Sequence, residues 1–323
     1  MAATQRISKL YLKIDSKDYV SAEDMKNLIS AEVDDSLLLP GMFTIHLRDP
    51  EVKWIDADAF AIGKPVEISA KNGGGEVILI SGEITAIDPR FNSVTGPTLV
   101  LRGYDRSHRL NRDKKTRSFV QMTDSDIAEK IAKEAHLKTN IGATRQVHEY
   151  VLQDNKTDWE FLLSRAQRIG YSVLVKEKTL HFVAAPASPG NKPVVKWKED
   201  LLEFNARIST ASQVSEGIVT GWDPNTQKQI VGRATAARDI PQIGETRSGG
   251  QAAEQAFGAT KKIVVDRPVA TQSEADTLAQ SVCDEIGQGF IEAECVCFGN
   301  PAVQSGALVE IKGVGQRFSG TYR

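Results

Sequence analysis

Cysteine is scarce, with three in 323 residues, and an odd number cannot close an even disulfide framework. That excludes a small cross-linked secreted scaffold and fits a chain that folds in a reducing cytosol. Net charge is almost absent: Lys+Arg 40 against Asp+Glu 42 leaves −2, so no global field points to nucleic acid or an anionic membrane. No apolar run approaches the length of a bilayer span. The opening MAATQRISKLYLKID has no apolar core of signal-peptide length. Aromatics stand at 7% and hydrophobic residues at 41%, the balance of a folded globular chain long enough for two or three domains with cores of their own.

Motifs that carry chemistry are also missing. The histidines His46, His108, His136, His148 and His181 are scattered, with no HExxH spacing, and no G-x-S-x-G nucleophile elbow occurs. Cys295 and Cys297 in IEAECVCFG share a strand face with Ile291 and Ala293. With no histidine nearby and no fourth ligand, these thiols read as buried apolar groups rather than a zinc site. KNGGGEV lacks the Lys-Ser/Thr step and the following helix of a phosphate loop, and reads as a hairpin tip. The expectation is therefore a protein with no catalytic, cofactor-binding or metal-binding residues.

Three stretches of differing character follow one another. Residues 1–104 carry short alternating segments (YLKID, residues 27–33, MFTIHLRD, KPVEISA, EVILISGEITAI and PTLVLRGY) separated by turn residues, the pattern of a small barrel or sandwich. Residues 105–190 open on DRSHRLNRDKKTR, which holds Arg106, Arg109, Arg112, Lys114, Lys115 and Arg117. Without interleaved aromatics, and broken by Asp105 and Asp113, this run reads as a solvated connector rather than a phosphate-binding strip. TDSDIAEKIAKEAHL predicts a helix capped by Thr123 or Asp124, with Ile127, Ile131 and Ala135 inward. GATRQVHEYVLQ reads as a linker. In DNKTDWEFLLSRAQRIGYSVLVKEKTLHF, Thr157 and Glu160 stand in capping-box spacing. Trp159, Leu162, Leu163, Ala166 and Ile169 make one apolar stripe, Gly170 stops the helix, and a hairpin follows. Glu160 as a general acid and Asp158 with Trp159 as a sugar-binding pair are weaker readings than cap and core.

Residues 191–323 return to strands, after a linker at 184–193. LLEFNARIS, SEGIVTGWDP, IEAECVCFG and GALVEIKG read as strands and SEADTLAQSVCDEIG as a helix capped by Ser273 with Leu278, Val282 and Ile286 inward. ARDIPQIGETRSGGQAAEQAFG reads as a long loop. A faint repeat links the two β-rich regions: GKPVEI at 63–68 and GALVEI at 306–311, each followed by a Ser-Gly step, Ser81-Gly82 and Ser319-Gly320. Taken as a duplication it implies two related β-domains, the second ending mid-pattern at Arg323, so that more chain or another polypeptide is expected to complete it.

RGYDRSHRLNR, TDSDIAEKIAKEAHL, NKTDWEFLLSRAQRIGYSV and GIVTGWDPNTQKQIVGRA, in that order, resemble the phage late control D and VgrG-type hub proteins of contractile tails, type VI secretion spikes and extracellular injection systems. The resemblance spans roughly Phe43 to Arg323, and the GWDP stretch is closer to injection-system hubs. It implies an α+β, mostly β fold: two tube-protein-like β-barrel domains, 1–104 and 191–323, flanking an inserted α+β block, 105–190. It further implies a homotrimer that joins a hexameric inner tube to a trimeric spike, with spike-tip and baseplate proteins and effector cargo as partners. Such a hub binds no nucleic acid and makes no stable membrane insertion. It assembles in the cytoplasm into a virion or tail-like particle, which is then released or stays membrane-anchored. GVGQRFSGTYR resembles the junction that precedes a spike domain. The competing enzyme reading is a tail-associated peptidoglycan hydrolase, for which no stretch supplies a catalytic domain.

Overall fold

Alternation of apolar and polar residues drives the first hundred residues into strands, because each apolar side chain then falls on one face of the pleat. The computed structural model describes residues 9–19, 26–71, 75–184, 192–223, 226–235, 237, 243–244 and 247–323. The tip of KNGGG and most of the 184–193 linker lie outside these residues, as does part of the 237–258 stretch. The chain divides into two units, one of residues 1–163, 173–182 and 299–305, the other of 164–172, 183–298 and 306–323.

The first unit begins with β1 (Lys9–Ile14), β2 (Lys17–Asp18), β3 (Leu28–Asp34), β4 (Met42–Arg48), β5 (Pro65–Lys71), β6 (Glu76–Asn92) and β7 (Gly96–Asp105). They form one antiparallel sheet in the order β2-β1-β5-β6-β7-β4-β3. Irregular register between Ile68 and Ser69 and between Ile84 and Ala86 adds local twist, and the sheet curls. Its inner face gathers Leu12, Ile14, Phe43, Ile45, Leu47, Val66, Ile68, Ile84, Leu99 and Leu101, all buried. Gly103 is required here: a Cβ would sit 2.0 Å from the Glu83 carbonyl oxygen and 2.4 Å from the Phe43 ring. At one margin Trp54 stacks on Phe60 while Tyr19 meets both edge-on. Buried Asp49 holds that loop by accepting from the backbone N–H groups of Lys53, Trp54 and Ile55.

A 3₁₀ turn at Arg106–Asn111 leads to β8 (Lys114–Thr123), α1 (Asp124–Glu134), β9 (Lys138–Ile141), β10 (Val147–Thr157), α2 (Asp158–Arg168), β11 (Tyr171–Lys176) and β12 (Thr179–Ala184). The Thr123 cap is found, closed into a box with Asp126. Ile127 and Ile131 face inward as expected, with Ala132 rather than Ala135 completing the buried face. VHEYVLQ is a strand, not a linker: β10 pairs antiparallel with β8, and the hydrogen bonds of that ladder outweigh the charged residues in it. Phe119 of β8 stacks on Phe161 of α2 at 5.5 Å and 9°. The stripe on α2 therefore gains Phe161, buried along with Trp159, Leu162 and Ala166.

The second unit contains β13 (Val194–Lys196), β14 (Leu201–Ile208), β15 (Glu216–Asp223), β16 (Lys228–Ala234), α3 (Gly249–Phe257), β17 (Lys261–Val264), α4 (Gln272–Gln288), β18 (Ile291–Cys297), β19 (Val309–Lys312) and β20 (Gly320–Tyr322). Its described strands form three small sheets, β13-β19-β20, β14-β18 and β16-β15-β17. Part of the expected loop is helix α3, opened by a Ser248/Gln251 capping box. The cap of α4 is Thr271 rather than Ser273. That helix packs Ala275, Leu278, Ala279 and Val282 against Val219 and Ile230. Gly232 lets it approach, since a Cβ there would lie 2.2 Å from the Ala275 backbone.

Both halves of the repeat fall on antiparallel pairs. Gly82 faces Val66 across β5–β6, while Gly320 faces Ile311 across β19–β20. Ile311 stands two positions beyond Val309, the residue equivalent to Val66. A step of two keeps every side chain on the same face.

Candidate functional site

The strongest concentration of functional side chains is the basic run after β7, and the structure corrects its reading as a solvated connector. Two buried carboxylates draw it inward. Glu83 of β6, 4% exposed, accepts two hydrogen bonds from Arg109, both 2.8 Å, and a third charged contact from Arg106 at 2.8 Å. Asp158, the first residue of α2 and also 4% exposed, is met by Lys115 at 2.6 Å, Arg117 at 2.7 Å and the Gln153 amide at 2.9 Å. Arg117 also bonds Gln153 and Glu134. Outside the run, Arg102 pairs with Asp88. Glu83 and Asp158 thus each take three of the roughly four hydrogen bonds that carboxylate oxygens can accept, from charged or amide donors. The first cluster ties β6 to the 3₁₀ turn and the second ties β8 to the start of α2.

Asp105 opens the 3₁₀ turn by accepting from the backbone N–H groups of Gly41 (2.8 Å) and Ser107 (2.7 Å). Burial pushes its pKa up against those hydrogen bonds, which lower it. With Asp35, Ser36, Leu39, Trp159, Leu174, Val175, Lys176 and Ser305 it lines a cleft of about 20 Å³, room for one water molecule and no organic substrate.

The residues weighed as acid and sugar platform resolve into cap and core. Glu160 accepts from the Thr157 backbone N–H (2.9 Å) while Thr157 Oγ1 accepts from the Glu160 N–H (3.1 Å). The first of these bonds is the main cause of a depressed Glu160 pKa. Trp159 is 3% exposed and its Nε1–H donates to the Leu38 carbonyl at 3.1 Å.

The histidines stay apart. His108 Nδ1 lies 2.7 Å from the Asp105 carbonyl, His148 Nε2 lies 3.2 Å from buried Asp124, and His181 meets Asn140 at 2.9 Å. Among the described residues no group of three or more His, Cys, Asp or Glu side chains is placed to hold a metal ion. Of the thiols, Cys283 is buried and donates to the Ala234 carbonyl at 3.3 Å. Cys297 is half-buried, but Cys295 is exposed, against the expectation of burial, because the β14–β18 ribbon leaves that face partly uncovered. No helix among the described residues is long and apolar enough to cross a membrane.

Sequence reasoning missed the ion clusters because Glu83 lies 26 residues before Arg109 and Asp158 lies 41 residues after Arg117. A basic run following a chain that holds a lone acid in an apolar strand, GEITAI, is the signal that points to them.

A family model described as the Alg8 N-terminal domain matches residues 46–322. No curated protein matches the chain. Among solved structures, the 43 kDa tail protein of prophage MuSo2 from Shewanella oneidensis superposes with a TM-score of 0.68 at 16% identity, covering 98% of this chain and 92% of that one. A tail protein from Neisseria meningitidis MC58 gives 0.69 at 14% identity, covering 97% and 89%. The prophage tail protein gp18 from Listeria monocytogenes EGD-e gives 0.54 at 11%, covering 97% and 87%. At these identities the likeness is one of fold: a mostly β chain with a curled sheet and few helices, built as these tail proteins are.

Proposed function

Because the chain belongs to the Alg8 N-terminal domain family and folds as phage tail proteins do, we propose that it is the structural hub of a contractile injection system or phage tail baseplate. In this reading three copies join a hexameric inner tube to a trimeric spike, and the assembly is driven out when the sheath contracts. Spike-tip proteins, baseplate proteins and effector cargo are its further partners.

The observation that carries the reading is the extent of the fold match, which runs through nearly the whole of this chain and of two tail proteins. The repeat adds support. Residues 1–104 and 191–323 are taken as two tube-protein-like β-domains around the block at 105–190. Two such domains in each of three subunits present six similar surfaces, which is what a threefold object needs in order to meet a sixfold one. The buried ion pairs at Glu83 and Asp158 suit a part that transmits load.

Light scattering on the purified chain, with and without the tube and spike proteins, tests the reading. A mass three times that of the chain, together with its presence in sheathed particles, is expected. A protein that stays monomeric and is absent from such particles overturns it. Clearing of peptidoglycan in a zymogram would instead favour the hydrolase.

A further inference from the structure

The β14–β18 ribbon sorts its side chains by face, as the pleat requires. Glu203, Arg207, Glu292 and Glu294 fall on one side. On the other, Cys295 stands opposite Phe204 and Cys297 opposite Leu201. Leu201 is buried with Val195 and Ile311, and Cys297 packs against that cluster. Phe204 meets Tyr322 edge-on at 6.0 Å and 82°. Two sulfurs therefore share one face, and the ribbon places no histidine or carboxylate beside them. Burial raises the pKa of both thiols, and Cys297 is raised further by Cys295 and by Asp200, which puts the two sulfurs within electrostatic reach of each other. They do not close into a disulfide. Residues two apart in a strand hold their Cβ atoms about 6.7 Å apart, well beyond the roughly 3.5–4.5 Å that a disulfide spans.

We propose that Cys295 and Cys297 form a two-coordinate site for one soft monovalent cation of the copper(I) class. The spacing that forbids a disulfide suits an ion held between the sulfurs. At a metal–sulfur bond of about 2.3 Å, two sulfurs in line with the ion stand about 4.6 Å apart. Two Cβ–Sγ bonds leaning toward each other make up the difference from the Cβ separation. Donor chemistry selects the ion. Thiolates prefer soft cations, while zinc needs a tetrahedral set of four. Among the described residues no group of three or more such ligands exists here or elsewhere, so an ion content with two sulfurs is the one that fits. Leu201 and Phe204 shield the pair on one side, and exposed Cys295 gives the ion its way in. Binding replaces the two S–H protons by the ion; both protons pass to solvent and no oxidation state changes.

The test uses copper(I) itself, supplied without oxygen as its acetonitrile complex and titrated into the full chain against a chromophoric copper(I) chelator. One ion per chain is expected, with about two protons released for each ion near neutral pH, since both thiols start protonated. Binding should tighten as the pH rises. Cys295→Ser and Cys297→Ser should each weaken it at least tenfold, and zinc(II) should bind the unaltered chain at least a hundredfold more weakly. Cys295 is exposed, so its substitution spares the core, and circular dichroism checks both variants. No copper held by the unaltered chain, or binding that either single substitution leaves unchanged, overturns the proposal. So does a doubling of mass on adding copper, which would mean that each of two chains supplies one sulfur. The hub reading is tested apart from this: a monomeric chain that binds copper loses the hub and keeps the site.

Discussion

At Trp159 one side chain serves two purposes, filling the space beneath α2 and bonding the Leu38 carbonyl. Trp159→Ala removes both, and truncating a buried large aromatic costs about 3–5 kcal/mol. Unfolding in urea is expected to shift by that amount, with assembly lost because the chain no longer folds. Trp159→Phe keeps most of the packing and loses the hydrogen bond, so a loss of about 1–2 kcal/mol is expected. A folded Trp159→Ala protein that had lost only an enzymatic activity would contradict the core assignment. Glu83 tests the ion cluster in the same way. Glu83→Gln leaves Arg106 and Arg109 facing a neutral amide. Breaking a fully buried pair costs about 3–5 kcal/mol, but Arg109 is 46% exposed and water recovers part of its charge. A loss of roughly 1–3 kcal/mol is therefore expected, read from the denaturation midpoint at constant slope.

Helices α1 and α2 show how far local chemistry determines an element. Thr123/Asp126 and Thr157/Glu160 both close capping boxes, and Thr157→Ala is expected to cost about 1 kcal/mol of stability. Hydrogen bonds from the cap hold the carboxyls of Asp126 and Glu160 below the usual carboxylate range. A depressed folded pKa contributes stability that is present above the unfolded value and disappears as pH falls through the folded one. Protection of the Thr157 and Glu160 backbone amides, taken relative to intrinsic exchange at each pH, should therefore fall as the pH drops below the ordinary glutamate range, while Glu160→Gln removes that pH dependence. Such boxes are readable in a sequence because donor and acceptor are three residues apart. By the same rule α3 was open to being read from Ser248 and Gln251, but its glycine and alanine content concealed it. Strand β10 was hidden for a different reason. His148, Glu149 and Asp154 weaken its apolar alternation, and only the pairing with β8 makes it a strand. The basic run could not be assigned locally either, because its partners are Glu83 and Asp158 in other elements.

In the whole molecule the two units are interleaved along the chain, not strung end to end. The first takes in residues 173–182 and 299–305 after the chain has already entered the second. The short return at 299–305 is a staple within the first unit. Gln304 Nε2 donates to the Ile78 carbonyl of β6 at 2.9 Å, and the Ser305 N–H donates to Asp35 at 3.1 Å. Lys176 Nζ reaches Gln304 at 3.3 Å. Within the second unit, Arg168 at the end of α2 donates to the Pro268 carbonyl and to Glu274 at 2.8 Å. A cut after Ala184 therefore removes more than a flanking domain. It strips the staple from the first unit and leaves Arg168 without the groups that hold it. At about 0.5–1.5 kcal/mol for each net hydrogen bond, losing the Gln304–Ile78 and Ser305–Asp35 bonds alone should destabilise a 1–184 fragment by roughly 1–3 kcal/mol. Gln304→Ala in the full chain should cost about 1 kcal/mol. Urea unfolding followed by Trp54 and Trp159 fluorescence compares the three proteins. A 1–184 fragment that unfolds at the midpoint of the full chain would mean that the staple contributes nothing and that the first unit is complete without it.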